Sequence, residues 1–244
     1  MELTQRQKKI LSYLKLHSDV QIDELAEMFD VTPQTIRRDV NYLCEHGLAR
    51  RVHGGVNLPA VLTNTTYQFR AKVESDIKLA MAKEVAKAIP EGSTIMLGIG
   101  TSITYVAQCL SQTKKLRVIT NNVQAARILE SNTNIEVFLA GGLVRSEHQD
   151  IVGQSVLNFF SDFEADIGII GCGSVTESLN AMEHETQEAE ISKSIIANSR
   201  QSWLLSDSSK WGRFASVKVS SLYSLSRIYT NKTDMPMDLP IYRV

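Results

Sequence analysis

From Ser93 onward the 244-residue chain alternates short apolar runs with segments of helical period, and this alternation constrains its fold most. Residues 94–97 (TIML), 117–120 (RVIT), 135–140 (IEVFLA), 166–171 (DIGIIG) and 203–207 (WLLSD) have the length and composition of strands buried on both faces. Residues 102–110, 122–129 and 188–199 between them read as helices. A further helix starts near Ser75, with Leu79, Ala82, Val85, Ala86 and Ile89 as its apolar face, and Pro90 and Gly92 stop it. Strands separated by helices imply a parallel sheet covered on both faces, an α/β fold. Ligands of such sheets bind at the carboxyl ends of the strands.

The loops at those ends are polar. GIGTS (98–102) follows a strand and opens a helix. Gly98 and Gly100 permit close backbone approach there, and Thr101 and Ser102 can donate to an anion at the helix N-terminus. Asn121 lies in TNN (120–122) at the next strand end. DSSKWGR (207–213) offers Lys210 and Arg213 as phosphate partners. A glycine-rich turn alone is weak evidence, but three such loops in one domain point to an anionic polyol or a sugar phosphate. AGG (140–142) reads as a backbone requirement rather than a contact.

The first 55 residues follow a different pattern. Leu3, Ile10 and Leu14 share one helical face, and Ile22, Leu25, Ala26 and Phe29 share another. Thr32 is a helix N-cap with Pro33 at the first helical position. Ile36, Val40 and Leu43 then form the buried stripe, and Gly47 ends the helix. At about 100° per residue, Gln34 and Arg38 lie opposite that stripe, with Arg37 and Asn41 to one side and Thr35 to the other. Gln34, Thr35, Arg37 and Arg38 are side chains that bond phosphates and base edges. LARRVHGGV follows and reads as a small β-wing, with Gly54-Gly55 at its turn and Arg50, Arg51 and His53 placed for phosphates.

Composition alone does not announce nucleic-acid binding. The net charge is -1, and Lys plus Arg equal Asp plus Glu between Met1 and Gly55. Paired arginines on a helix are often only a solvated face. Position separates the readings, because the acids concentrate on the first two helices and the arginines on the third helix and wing.

The remaining features exclude other classes. Cys44, Cys109 and Cys172 are far apart, as expected of reduced, buried thiols, and no cofactor is implied. The five histidines show no metal-ligand spacing, so no metal site is expected, and MEHETQE around His184 reads as a solvated acidic loop. NFF (158–160) reads as core or as a contact between copies. The N-terminus lacks a signal-peptide pattern, and no apolar run reaches the ~18 residues of a membrane span, so a soluble cytoplasmic protein without membrane contact is expected.

The stretch ELAEMFDVTPQTIRRDVNYLCEHGLARRVHGG (24–55) resembles the winged helix-turn-helix of the DeoR family of bacterial transcription regulators. VITNN, LAGGLVR, EAEISKSII and DSSKWGRFA resemble the effector domain of the same family and, more distantly, ribose-phosphate isomerase. TPQTIRRD, VITNN and IIANSR lie nearest the glycerol-3-phosphate repressor branch. The resemblance implies a DNA-binding module over residues 1–57, a linker over 58–74 and an effector-binding and oligomerisation domain over 75–244. It also implies a repressor of a carbohydrate or polyol catabolic operon, with double-stranded operator DNA as partner. A phosphorylated sugar or polyol such as glycerol 3-phosphate would be the effector, and the assembly would be a homodimer or homotetramer. Residues 32–44 would enter the major groove. Glu188 matches a family position of the effector site. The family's usual Asp is replaced by Gly98 and its usual Lys by Ser192, which removes charge from the implied pocket. The alternative is a sugar-phosphate isomerase-like enzyme with an accessory DNA-binding module, in which Glu188 would serve as base and Lys210 would hold phosphate.

Overall fold

The structure is a computed structural model and describes residues 3–14, 20–52, 55–57, 67–110 and 115–244. By its internal contacts the chain divides into two compact units, Met1–Thr65 and Thr66–Val244.

The first unit contains α1 (Gln5–Leu14), β1 (Val20–Gln21), α2 (Ile22–Met28), α3 (Pro33–Glu45), β2 (Arg50–Val52) and β3 (Gly55–Asn57). Its core joins Ile10 and Leu14 of α1 to Leu25 of α2 and to Ile36, Val40 and Leu43 of α3. The Thr32 hydroxyl accepts the Thr35 N–H at 3.3 Å, as the capping pattern predicts. Gly47 adopts φ +69°, and Gly47 N–H and Leu48 N–H return to the carbonyls of Cys44 and Leu43. This Schellman-type ending satisfies the last carbonyls of α3. The wing is an antiparallel hairpin of β2 and β3, with Arg51 opposite Val56. Its third strand, β1, pairs with β3 through Val20 and Gln21. Two residues are too few to show a period, which is why β1 was not expected.

One polar link crosses this small core. Asp39 of α3 is buried, and its carboxylate accepts from Arg6 Nε at 2.5 Å and from Gln7 Nε2 at 3.1 Å, both on α1. It therefore ties the two helices at a fixed rotation.

The second unit begins with α4 (Tyr67–Lys72) and α5 (Ser75–Ala88). There follow β4 (Thr94–Leu97), α6 (Thr101–Leu110), β5 (Leu116–Thr120), α7 (Val123–Leu129) and β6 (Ile135–Leu139). A hairpin of β7 (Leu143–Arg145) and β8 (Asp150–Val152) leads into α8 (Gln154–Ser161) and β9 (Ala165–Ile170). Next come β10 (Ser174–Val175), β11 (Asn180–Glu183), α9 (Thr186–Ala197), β12 (Ser199–Leu205), β13 (Val217–Ser221), β14 (Arg227–Thr230) and β15 (Ile241–Arg243). Seven strands form one sheet in the order β15-β14-β12-β9-β4-β5-β6, parallel throughout.

Strand alternation divides the core into two layers. Ile95, Leu97, Val118 and Ile169 face α5, α6 and α7, whereas Met96, Ile119, Ile170 and Leu204 face α8 and α9. The expected α/β fold is thus present, with helices on both faces. Short strands β10, β11 and β13 form a separate antiparallel sheet that carried no sequence signal. Within the stretch expected to be a linker, Tyr67–Lys72 is helical. NFF lies on α8, where Phe160 is wholly buried in the second core layer. Gly142 takes φ +154°, and a Cβ there would lie 2.9 Å from Ser155 Oγ, so AGG does answer a backbone demand.

Replacing Asp39 with Ala leaves Arg6 and Gln7 without their acceptor. A hydrogen bond to a charged group contributes about 1.5–3 kcal/mol, so Asp39→Ala should destabilise the first unit by roughly 2 kcal/mol in equilibrium urea unfolding.

Candidate DNA interface and strand-end site

On α3, Gln34, Arg37 and Arg38 are exposed, and Thr35 is half-buried with its hydroxyl 2.9 Å from that of Thr32. On the wing, Arg51 is exposed and donates through Nη2 to Asn41 Oδ1 of α3. Arg50 is half-buried and its Nε is fully enclosed. His53 lies outside the described residues. A groove of about 370 Å³ runs between the start of α2, the flank of α3 and the wing, and Arg37, Arg51 and Asp23 line it.

In the second unit, the expected strand-end loops meet at the carboxyl edge of the sheet. Gly98 is buried and Gly100 has φ +102°, immediately before Thr101 opens α6. Thr101 is buried and Ser102 half-buried. In TNN the three side chains divide their work. Thr120 Oγ1 donates to the Leu97 carbonyl at 2.7 Å. Asn122 caps α7 by accepting the Ala125 N–H at 3.0 Å. Asn121 donates to the Ile151 carbonyl at 2.8 Å, and its Oδ1 is buried without a partner.

Arg145 of β7, which drew no attention in the sequence, organises one side of the site. Its guanidinium makes a two-pronged pair with Asp150, at 2.9 and 2.5 Å, and reaches Glu185 at 2.6 Å and Glu188 at 3.1 Å. Burial pulls its pKa down, but the bond and charge of Asp150, with Glu188 and Glu185, more than reverse this and raise it. Glu188 is therefore buried and already engaged. His148, Glu185 and Glu188 each offer one ligating atom, all within 4.8 Å of one another. The Arg145 charge sits on both carboxylates, which makes this group a salt-bridge hub rather than a cation cage.

A neighbouring group of side chains is rich in cations. Lys210 is half-buried and its Nζ makes no hydrogen bond or ion pair among the described residues. Burial lowers its pKa, Asp207 raises it, and the charge of Arg213 lowers it again. Trp211 Nε1 and Arg213 Nε are buried donors without acceptors. The loop itself is well held: Asp207 accepts the Ser209 N–H at 3.0 Å, and Ser174 Oγ donates to the Arg213 carbonyl at 2.8 Å.

MEHETQE is not a solvated loop. Glu183 ends β11 and is buried, because β11 is the middle strand of the small sheet. Burial and the nearby Glu188 raise its pKa well above the usual carboxylate range. His184 is pushed down to about 4 by burial and by the charges of Lys210, Arg70, Arg213 and His148. These groups come from separate parts of the unit and act on one imidazole.

Two contributors, Arg70 of α4 and Lys78 of α5, were not anticipated. Lys78 is 3% exposed, and its ammonium donates to the carbonyls of Arg70 at 2.5 Å and Val73 at 2.6 Å. Burial and then Lys210 lower its pKa to about 8. The signal was present, since Lys78 begins the buried stripe Lys78, Met81, Ala82, Val85, Ala86 of α5. A lysine in register with core positions marks a buried ammonium that must find acceptors. The lysine helps hold α4, which also docks through Tyr67 Oη to Thr104 at 2.7 Å and Tyr105 Oη to the Ala71 carbonyl at 3.2 Å.

Comparison with known proteins accords with both halves. The model of the DeoR C terminal sensor domain matches residues 73–232, and that of the DeoR-like helix-turn-helix domain matches residues 6–60. The chain belongs to the DeoR family. It is 37% identical to the glycerol-3-phosphate regulon repressor of Escherichia coli (strain K12), over 100% of this chain and 96% of that protein. It is 35% identical to the HTH-type transcriptional repressor CsqR of the same organism, over 93% of this chain and 87% of that protein. Among solved structures, ribose 5 phosphate isomerase A from Neisseria gonorrhoeae aligns with 58% of this chain and 55% of its own at 17% identity, with a TM-score of 0.43. The chain is a DNA-binding transcription regulator and not an enzyme. Glu188, the base an isomerase would need, is held by Arg145.

Since His184 has a pKa of about 4 in the fold and 6.5 as its reference, the unfolded chain binds the extra proton between those values. Stability attributable to His184 is complete above about pH 6.5 and is lost as the pH falls toward 4. At about 1.4 kcal/mol per unit, the loss is at most roughly 3 kcal/mol. Urea unfolding of His184→Gln across this window should show a shallower decline than the parent chain.

Proposed function

We propose that this DeoR-family protein represses a carbohydrate or polyol catabolic operon, and that a phosphorylated sugar or polyol sets its operator affinity. The observation that carries the ligand reading is the surplus of donors on the loop after β12. Lys210 Nζ, Trp211 Nε1 and Arg213 Nε have no acceptor among the described residues. Buried donors are normally satisfied, so a loop that leaves them open is suited to a phosphate. Across the site, the enclosed Asn121 Oδ1 is an acceptor suited to a ligand hydroxyl after a small rotation. Gly100, Thr101 and Ser102 bring backbone donors at the start of α6, Gly98 just before them gives its own N–H to the Ile169 carbonyl, and Glu188 is oriented by Arg145. Glycerol 3-phosphate is the first candidate, because the name of the E. coli relative refers to it.

The two departures from the family pattern are compatible with this site. A Cβ at Gly98 would lie 3.4 Å from Ile195 Cδ1 of α9. Ser192 lies one turn earlier on the same buried side of that helix. Loss of an Asp at one position and of a Lys at the other leaves the net charge of the site unchanged. Lys210 and Arg213 remain.

Operator recognition is assigned to Gln34, Thr35, Arg37 and Arg38, with wing contacts from Arg50, Arg51 and His53. Two copies, as a homodimer or within a homotetramer, would span repeated half-sites, and effector binding would shift the spacing they reach. The setting is cytoplasmic; among the described residues no helix is long and apolar enough to cross a membrane.

Thermal unfolding of the purified protein against glycerol 3-phosphate, hexose and pentose phosphates and their unphosphorylated parents tests the reading. A ligand at 100 times its Kd adds about 2.7 kcal/mol. One phosphorylated compound should raise the Tm, and Lys210→Ala should abolish the shift. A flat panel, or an undiminished shift in Lys210→Ala, would remove the phosphate site.

A further inference from the structure

The four arginines of the first unit are not equivalent. Arg37 and Arg38 are adjacent on α3, yet at about 100° per residue they leave the helix in different directions. Arg37 shares its flank with Asn41, and Arg38 lies with Gln34 opposite the buried stripe. Arg50 and Arg51 are adjacent on β2, so their side chains project to opposite faces of the wing. The contacts follow this geometry. Arg51 is exposed and bonded to Asn41, whereas Arg50 is half-buried with an enclosed Nε. Arg37 and Arg51, one from each pair, line the same groove of about 370 Å³.

An arginine carries five N–H donors in a planar fork, and one bond to a neutral amide leaves the charge intact. The Asn41 carboxamide is therefore suited to aim the guanidinium without neutralising it. A carboxylate in its place would hold Arg51 but cancel its attraction for an anion. The acid lining this groove, Asp23, stands at the start of α2, where helix N–H groups favour it.

We propose that Asn41 is a positioning residue that fixes Arg51 of the wing beside Arg37 of the recognition helix. The two arginines then grip the operator backbone together, while Arg38 with Gln34 reads base edges and Arg50 holds the wing. This division rests on the DNA-binding reading and deepens it. Phosphate contacts set register and carry the salt dependence, and base-edge contacts carry sequence discrimination.

A duplex selected by the full-length protein from a random pool serves as probe, with single-base variants of it for comparison. Binding is followed by fluorescence anisotropy from low to moderate salt. Arg37→Ala and Arg51→Ala should each weaken every duplex by a similar factor, on the order of tenfold, and flatten the log-log salt slope by about 0.9. Asn41→Ala should weaken binding in the parent chain and have no further effect in Arg51→Ala. Arg51→Lys should keep the salt slope and lose the dependence on Asn41. Arg38→Ala should instead shrink the gap between the selected duplex and its variants. Unchanged thermal unfolding separates these effects from loss of fold, and Asn41→Ser provides a second, milder removal of the carboxamide. Independent, multiplying losses for Asn41→Ala and Arg51→Ala, or an unaltered salt slope in Arg51→Ala, would overturn the pairing. Failure of the parent chain to select any duplex would overturn the DNA-binding reading itself, a result distinct from binding without coupling.

Discussion

A parallel sheet can be built only if every strand is brought back across the layer before the next begins. All the strands then end on one edge, and the loops that leave them must lie together. Seven parallel strands do this here, and they gather Gly98, Asn121 and Lys210 from distant parts of the chain. The two core layers on either face hold the strands in register, so the edge is presented by a rigid scaffold. The small antiparallel sheet and the β7-β8 hairpin then wall the same edge from the side, bringing Glu183, His184 and Arg145 into it.

The site's electrostatics are uneven in an informative way. On the Arg145 side three carboxylates share one guanidinium, and each of them touches it. Such buried networks persist when each member is paired, and they fix geometry more than they add stability. On the Lys210 side burial first, and then the neighbouring cations, lower the pKa values of Lys78 and His184. The buried Trp211 Nε1 and Arg213 Nε, which have no acceptor, are the feature on this side that suits an anion. The DNA-binding unit shows the same contrast at smaller scale. Asp39 is spent on holding α1 against α3, and the neutral Asn41 leaves its arginine charged.

Much of this was legible in the residues. The stripe Ile36, Val40, Leu43, the Thr32 cap and the Gly47 stop each rest on a local rule, and each stands as expected. The alternation of apolar runs announced the sheet, although β12 begins four residues before its apolar run and several short strands passed unseen. Strand β14, the edge strand β15 beside it and the two-residue strands β1 and β10 are too brief for periodicity to speak. MEHETQE has the local polarity of a solvated loop, while the burial of Glu183 comes from a partner strand, β13, more than thirty residues away.

The sequence by itself determined the main apolar strands, the helix limits set by caps and glycines in the first unit, the alternation that gives the α/β class, and membership of the DeoR family. These depend on period, composition and local backbone preference, all of which act within a few residues. Tertiary structure alone decided which charges meet. Whether Arg145 is paired and Lys210 is not, and whether Arg51 leans on Asn41 while Arg50 turns inward, depends on strand pairing and on which faces are buried. Coulombic and desolvation energies depend on distance in space and on access of water, and neither quantity is written along the chain.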